Sequence, residues 1–211
     1  MERYFAIGDV HGCFDKLKLL LEKVEIDFER DRLIFLGDYI DRGDSSFNVI
    51  EFLIDLKRKY SNIVFLKGNH ELMLENYLLG TDKMTYISNG GIHTIESYAP
   101  VSFPDTEFSL PVEHYNFFKS LVPYFETKDY LFVHAGLREN VSLENQTLDD
   151  LLWIRKGFIQ SEFNFGRRII FGHTPFMQPF VMSNKIGIDT GAVYGNKLTC
   201  IELPALKFYS I

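Results

Sequence analysis

Cysteine is nearly absent from this chain. Cys13 and Cys200 are the only two, too few for a disulfide framework. Such usage fits a reducing, cytoplasmic setting. No apolar run approaches the ~20 residues that span a bilayer, and Met1-Glu2-Arg3-Tyr4 leads straight into a candidate strand, leaving no room for a signal peptide. No membrane partner is expected. Positive charge is also in deficit: 22 Lys and Arg against 29 Asp and Glu give a formal charge of −7. Non-specific DNA or RNA binding depends on basic surface, so a nucleic acid polymer is not expected as a partner. A small anionic substrate is still allowed, because bound metal ions make a positive site on an acidic protein. Repeats, linkers and low-complexity segments are missing. The 211 residues suit a single domain, 1–211, and 20 Phe with 11 Tyr can fill its core.

Five short apolar runs each end in residues able to bind a metal. Tyr4-Phe5-Ala6-Ile7 precedes Gly8-Asp9-Val10-His11-Gly12. Leu33-Ile34-Phe35-Leu36 precedes Gly37-Asp38-Tyr39-Ile40-Asp41-Arg42-Gly43. Ile63-Val64-Phe65-Leu66 leads through Lys67 to Gly68-Asn69-His70-Glu71. Leu131-Phe132-Val133 precedes His134-Ala135-Gly136, and Ile169-Ile170-Phe171 precedes Gly172-His173-Thr174. Runs rich in β-branched and aromatic residues read as buried strands, and α/β proteins place ligands at the carboxyl ends of strands. Asp9 to Asp38 is 29 positions and Asp38 to Asn69 is 31; a βαβ unit takes about 30 residues, so these strands suit one sheet.

Between the strands, Leu17, Leu20, Leu21 and Val24 share a helical face, as do Val49, Leu53, Leu56 and Tyr60. The segment from about 80 to 129 reads as helices and loops facing the substrate. It has a turn at Asn89-Gly90-Gly91, helices at Ile92–Tyr98 and Val112–Leu121, and breaks at Pro100, Pro104 and Pro111. After His173, the short strands 180–182, 185–188, 198–203 and 207–209 read as an antiparallel meander forming a second sheet.

GDVHG, GDYIDRG, GNHE, HAG and GHT, in this order, resemble the motifs of the calcineurin-like metallophosphoesterases. The Asp-Arg-Gly ending of the second motif and Trp153-x-Arg155 narrow the resemblance to the phosphoprotein phosphatase family, in its bacterial and phage, lambda-type branch. The resemblance covers nearly the whole chain. It implies an α/β (α+β) fold: a β-sandwich of two mixed sheets flanked by helices. It implies no regulatory subunit.

Two metal ions side by side need a bridging carboxylate to offset their repulsion, and Asp38 stands where one is required. Asp9 and His11 would complete one ligand set, and Asn69, His134 and His173 the other. Oxygen and nitrogen donors without thiolate suit manganese first, then iron or zinc. With a bridging hydroxide the site carries one net positive charge, which attracts phosphate and holds a deprotonated water near neutral pH. Arg42 offers a planar fork to phosphate. By resemblance Arg155 is a second clamp, His70 the general acid, Asp41 the carboxylate that orients it, and Asn69 a further phosphate contact. Glu71 is read as support for the turn, and His93 and His114 as ordinary helix or surface residues.

The expected activity is hydrolysis of a phosphomonoester, with phosphorylated serine or threonine on a protein as the first substrate and tyrosine as a variant. The alternative is a symmetrical diadenosine tetraphosphate hydrolase, its adenine stacked on aromatics between Tyr98 and Tyr130. A non-catalytic binding module is the third reading, disfavoured because every ligand position is filled.

Overall fold

The computed structural model describes residues 2–99 and 108–211. Its strands are β1 (Tyr4–Ile7), β2 (Arg32–Phe35), β3 (Ile63–Phe65), β4 (Tyr124–Glu126), β5 (Tyr130–Val133), β6 (Arg168–Phe171), β7 (Phe180–Val181), β8 (Lys185–Gly187), β9 (Thr199–Leu203) and β10 (Lys207–Ser210). They form two five-stranded sheets, ordered β10-β9-β1-β2-β3 and β4-β5-β6-β8-β7. In the first, β1, β2 and β3 run parallel, and in the second β5, β6 and β8 do. The fold is therefore the expected pair of mixed sheets flanked by helices.

The strands read as unbroken apolar runs because both of their faces are buried. Side chains alternate between faces. Ala6, Ile34, Leu36, Phe132, Ile170, Ile186, Ile201 and Leu203 meet between the sheets. Phe5, Ile7, Leu33, Phe35 and Phe65 point the other way. They pack on Leu17 and Leu20 of α1 (Phe14–Lys23), on Val49, Ile50 and Leu53 of α2 (Ser46–Lys59) and on Met73 and Leu74 of α3 (Asn69–Leu78). In chain order after α3, α4 (Lys83–Tyr86) leads through a turn kinked at the left-handed Gly90 into α5 (Ile92–Tyr98), and α6 spans Val112–Lys119. On the outer face of the second sheet, Leu131, Val133, Ile169 and Phe171 are covered by Leu151 and Leu152 of α7 (Leu148–Trp153) and by Phe158 of α8 (Lys156–Gln160). No helix among the described residues is long and apolar enough to cross a membrane.

Three expectations are corrected. The C-terminal strands do not form one meander: β7–β8 joins the second sheet beside β6, while β9–β10 joins the first beside β1. Local pattern identifies each hairpin, but Ile186 and Ile201 both end in the inter-sheet core, and nothing local says from which side. The stretch near 124–126 is not a loop; β4 pairs antiparallel with β5 as an edge strand, and Pro123 just before it masks its character. The aromatics proposed for stacking are not equally available: Tyr98, Phe117 and Phe118 are buried in the interior, whereas Tyr115 of α6 is exposed. Pro100 and Pro104 lie outside the described residues.

Candidate metal centre

All six parallel strands deliver polar residues to one end of the sandwich. Asp9 and His11 follow β1, Asp38 follows β2, Asn69 and His70 follow β3, His134 follows β5, His173 follows β6, and Asp189 follows β8. All are buried. The turns are tied together: the Val10 and His11 N–H groups donate to the Asp38 carbonyl (3.0 and 2.9 Å), and Gly172 N–H donates to the His134 carbonyl (2.8 Å). Five of the seven non-glycine residues with positive φ among the described residues are His11, Asp38, Asp41, Arg42 and His173. Each left-handed residue costs about 1–3 kcal/mol and persists where its surroundings over-determine it. Glu71 supplies part of that support, as expected. Its carboxylate accepts from the N–H groups of Asp38, Tyr39 and Gly68, each at 2.9 Å. Gly172 leaves room for Asp9: a Cβ there would lie 2.2 Å from Asp9 Oδ1.

Two groups of possible donors share Asp38: His11, Asp38 and His70, and Asp38, His134 and His173. One Asp38 oxygen is 3.4 Å from His11 Nε2, and the other is 3.4 Å from His134 Nε2. Asn69 Oδ1 lies 2.9 Å from both His134 Nε2 and His173 Nδ1. Asp9 borders the groups without completing either; both its oxygens accept from the His173 N–H (3.1 and 3.0 Å).

The donor set fits divalent metal ions. His11 Nδ1–H donates to the Ile40 carbonyl (2.7 Å) and His134 Nδ1–H to the Leu36 carbonyl (2.8 Å). These backbone bonds fix the tautomer and leave the Nε2 lone pair facing the site. Burial pushes His11 down to about 3 and His173 to about 2, and it also lowers His134, so these rings are neutral. A neutral His134 then directs a lone pair at Asn69 Oδ1, also an acceptor, and a cation between them resolves the conflict. The carboxylates report the same shortage of positive charge. Burial, then Asp189 and Asp38, push Asp9 well above its ordinary range. Burial and Asp38 push Glu71 up to about 7. Burial opposes charge on Asp38 too, but the surrounding imidazoles, His134 first, outweigh it and hold this carboxyl low.

A second layer surrounds the donors. Arg42 Nη1 donates to His11 Nε2 (2.7 Å), and Arg155 Nε donates to His173 Nε2 (2.9 Å), so one guanidinium flanks each group. His70 Nδ1–H donates to Asp41 Oδ2 (2.6 Å). Its buried Nε2 has no hydrogen-bond partner among the described residues and lies 4.0 Å from Asp38 Oδ2. Burial works against a charged His70, but Asp38 and the Asp41 bond outweigh it and raise the ring above an ordinary histidine.

Three residues of this region escape sequence reasoning. Thr94 of α5 donates to Asp41 Oδ1 (2.6 Å) and accepts the Asp41 N–H (2.9 Å); the two are 53 positions apart, so no local signal announces the pair. Asp189 ends β8 as the other donors end their strands, is buried, and is pushed up to about 6 by burial and Asp38. The run Ile186-Gly187-Ile188 before it carries the same signal as the five motifs. Tyr194 stands with Arg42, Asn89 and His93 around an open surface cleft of about 430 Å³. His93 and His114 stay outside both donor groups; His114 is buried between Tyr98 and Glu51.

With that geometry in view, likeness to known proteins becomes informative. The calcineurin-like phosphoesterase family model matches residues 3–191, and the chain belongs to that family of dinuclear metal-dependent phosphoesterases. Among similar proteins is the asymmetrical bis(5'-nucleosyl)-tetraphosphatase PrpE of Anoxybacillus flavithermus (strain DSM 21510 / WK1). It is 27% identical over 234 residues, covering 99% of this chain and 93% of the relative. Solved structures sharing the fold include one named for diadenosine tetraphosphatase (TM-score 0.79, 21% identity, 100% of this chain and 93% of that one). Another is the cold-active protein-tyrosine phosphatase of a psychrophilic Shewanella species (TM-score 0.67, 20% identity, 100% of this chain and 77% of that one).

Proposed function

We propose that this phosphoesterase hydrolyses a dinucleoside polyphosphate, with the whole chain acting as one metallophosphoesterase unit and the segment at about 80–129 facing the substrate. The observation that carries the site is Asp38, with one carboxylate oxygen toward each histidine group and a guanidinium beyond each. The full-length likeness to a tetraphosphatase moves the substrate toward nucleotides. A phosphorylated serine or threonine on a protein is the second reading, favoured by the open cleft at Arg42, which an extended chain can reach.

Asp9, His11 and Asp38 would hold one divalent ion, and Asp38, Asn69, His134 and His173 would hold the other. Manganese is the first choice; iron or zinc also suit donors without thiolate. When bound, the ions supply Lewis-acid charge and a water acidic enough to react near neutral pH. Arg42 and Arg155 leave their histidine partners to hold the phosphoryl oxygens in two planar forks. His70 presents Nε2–H toward the leaving oxygen, a proton that the alkoxide of an ester needs far more than the phosphate leaving group of an anhydride, while Asp41 holds the opposite nitrogen and Thr94 holds Asp41. The setting is cytoplasmic, without a regulatory subunit.

The test is product analysis with manganese-reconstituted protein, run in parallel on diadenosine tetraphosphate and on a phosphoserine/phosphothreonine peptide. Chelator-sensitive cleavage of the dinucleotide is the expected result, and its products, two ADP or ATP with AMP, tell symmetrical from asymmetrical hydrolysis. Turnover of the peptide alone would overturn the nucleotide reading.

A further inference from the structure

We infer that the cleft beside Arg42 is a nucleoside subsite, in which a base stacks on Tyr194 while its phosphate lies on Arg42; this rests on the nucleotide reading above. Tyr194 is 62% exposed, yet its loop is built to stay put. The 3₁₀ turn Ala192–Tyr194 sits between two left-handed glycines, Gly191 (φ 69) and Gly195 (φ 86). Tyr194 N–H donates to the Gly191 carbonyl (3.0 Å). From α1, the Lys16 ammonium donates to the carbonyls of Ala192 (2.8 Å) and Asn196 (2.5 Å), clamping both ends of the turn. A large aromatic face is thereby held in water on a preorganised support, which lowers the entropy lost on binding a flat ligand.

The ring is aligned with the phosphate clamp. Arg42 Cζ lies 5.7 Å from its centroid. Arg42 is fixed in turn by its N–H, which donates to the Gly90 carbonyl (3.1 Å). Gly90 is left-handed (φ 98), and a Cβ there would come within 2.7 Å of Arg42 Cγ, so the kinked turn can close on the arginine only with glycine. The same segment lines the cleft with Ser88 and Asn89, and α5 adds His93. The Asn89 amide nitrogen is engaged by the Thr85 carbonyl (2.8 Å), so its oxygen is the remaining acceptor.

An aromatic face, an amide, a hydroxyl and an imidazole around one phosphate-binding arginine match a nucleoside. Its base offers a π-face and a polar edge, and its ribose offers hydroxyls, all within one unit of the phosphate. A phosphorylated serine has no ring to stack. A phosphorylated tyrosine has a ring, but its one polar ring substituent is the ester oxygen at the reaction centre, which leaves Ser88, Asn89 and His93 unmatched.

The experiment compares AMP with inorganic phosphate as ligands of the manganese-loaded full chain by titration calorimetry, for wild type, Tyr194→Phe and Tyr194→Ala. Phosphate reaches the clamp alone, so the affinity ratio isolates the nucleoside. Base stacking is worth about tenfold or more: wild type and Tyr194→Phe should prefer AMP by at least that factor, and Tyr194→Ala should lose it. No preference in wild type, or a preference that survives Tyr194→Ala, overturns the subsite. The same proteins are assayed on diadenosine tetraphosphate. An AMP preference that tracks Tyr194 without dinucleotide hydrolysis supports the subsite and defeats the substrate reading. Dinucleotide hydrolysis with KM unchanged in Tyr194→Ala supports the substrate reading and defeats the subsite.

Discussion

His70 is open to two readings with opposite consequences. Its Nδ1 is committed to Asp41 at 2.6 Å, but its Nε2 belongs to the donor group with His11 and Asp38. As a general acid it should matter only where the leaving group needs a proton; as a ligand it should matter everywhere. Replacing it by asparagine removes the acid while keeping a polar side chain. General acid catalysis contributes typically ~10²–10⁴-fold. A phenol leaves with a pKa of about 10, whereas a phosphate leaving group is near 6 on its second ionisation. The gap of about four units means that the anhydride hardly uses the acid. His70→Asn should therefore lower kcat on phenyl phosphate by ~10²-fold or more and on diadenosine tetraphosphate by less than about tenfold. Steady-state kinetics on both substrates, with metal analysis of the same samples, gives the answer. Equal losses on both substrates would refute the proton-donor role, and loss of metal would make His70 a ligand.

Gly172→Ala should push Asp9 away, since the new Cβ would lie 2.2 Å from its oxygen; elemental analysis should find a metal equivalent lost, along with about 1–3 kcal/mol of stability. Chelated protein should lose stability as pH rises from about 6.5 through about 7. Glu71 (about 7) and His70 (raised) hold protons in the folded state that the unfolded chain releases at lower pH, while His11 and His173 are neutral in the folded state there. The slope is on the order of 1.4 kcal/mol per pH unit for each group retaining its proton, and calorimetry should show metal flattening it. Lys185→Met should lower Tm and raise KM more than it lowers kcat. The buried ammonium caps the carbonyls of Phe158 and Ser161 at the end of α8, the helix that begins beside Arg155; each carbonyl keeps a second donor, the Ser161 N–H and the Asn184 amide, and each charge-assisted bond lost costs about 1.5–3 kcal/mol.

The sequence makes the donors legible because each follows a strand buried on both faces: the run of Ile, Phe and Leu stops where the chain turns, and polar residues can only sit at that stop. Asp9, His11, Asp38, Asn69, His134 and His173 are brought to one end of the sandwich for this reason. Asp189 follows the same rule and could have been read. Thr94 could not, since its bond to Asp41 depends on how α5 docks. The allocation of β7–β8 and β9–β10 to different sheets turns on one long-range choice: β8 pairs with its near neighbour β6, whereas β9 crosses to β1 at the other end of the chain. Aromatic content misled for a related reason: Tyr98, Phe117 and exposed Tyr194 look alike in sequence, and only packing separates core from surface.

The central claim is that one shared carboxylate, Asp38, joins two divalent ions. Electron paramagnetic resonance of manganese-loaded protein, paired with metal stoichiometry, tests it most directly. The account predicts two equivalents per chain with coupled spins, and loss of that coupling in Asp38→Asn. A single bound ion, or two ions with uncoupled spectra in the wild type, would contradict it.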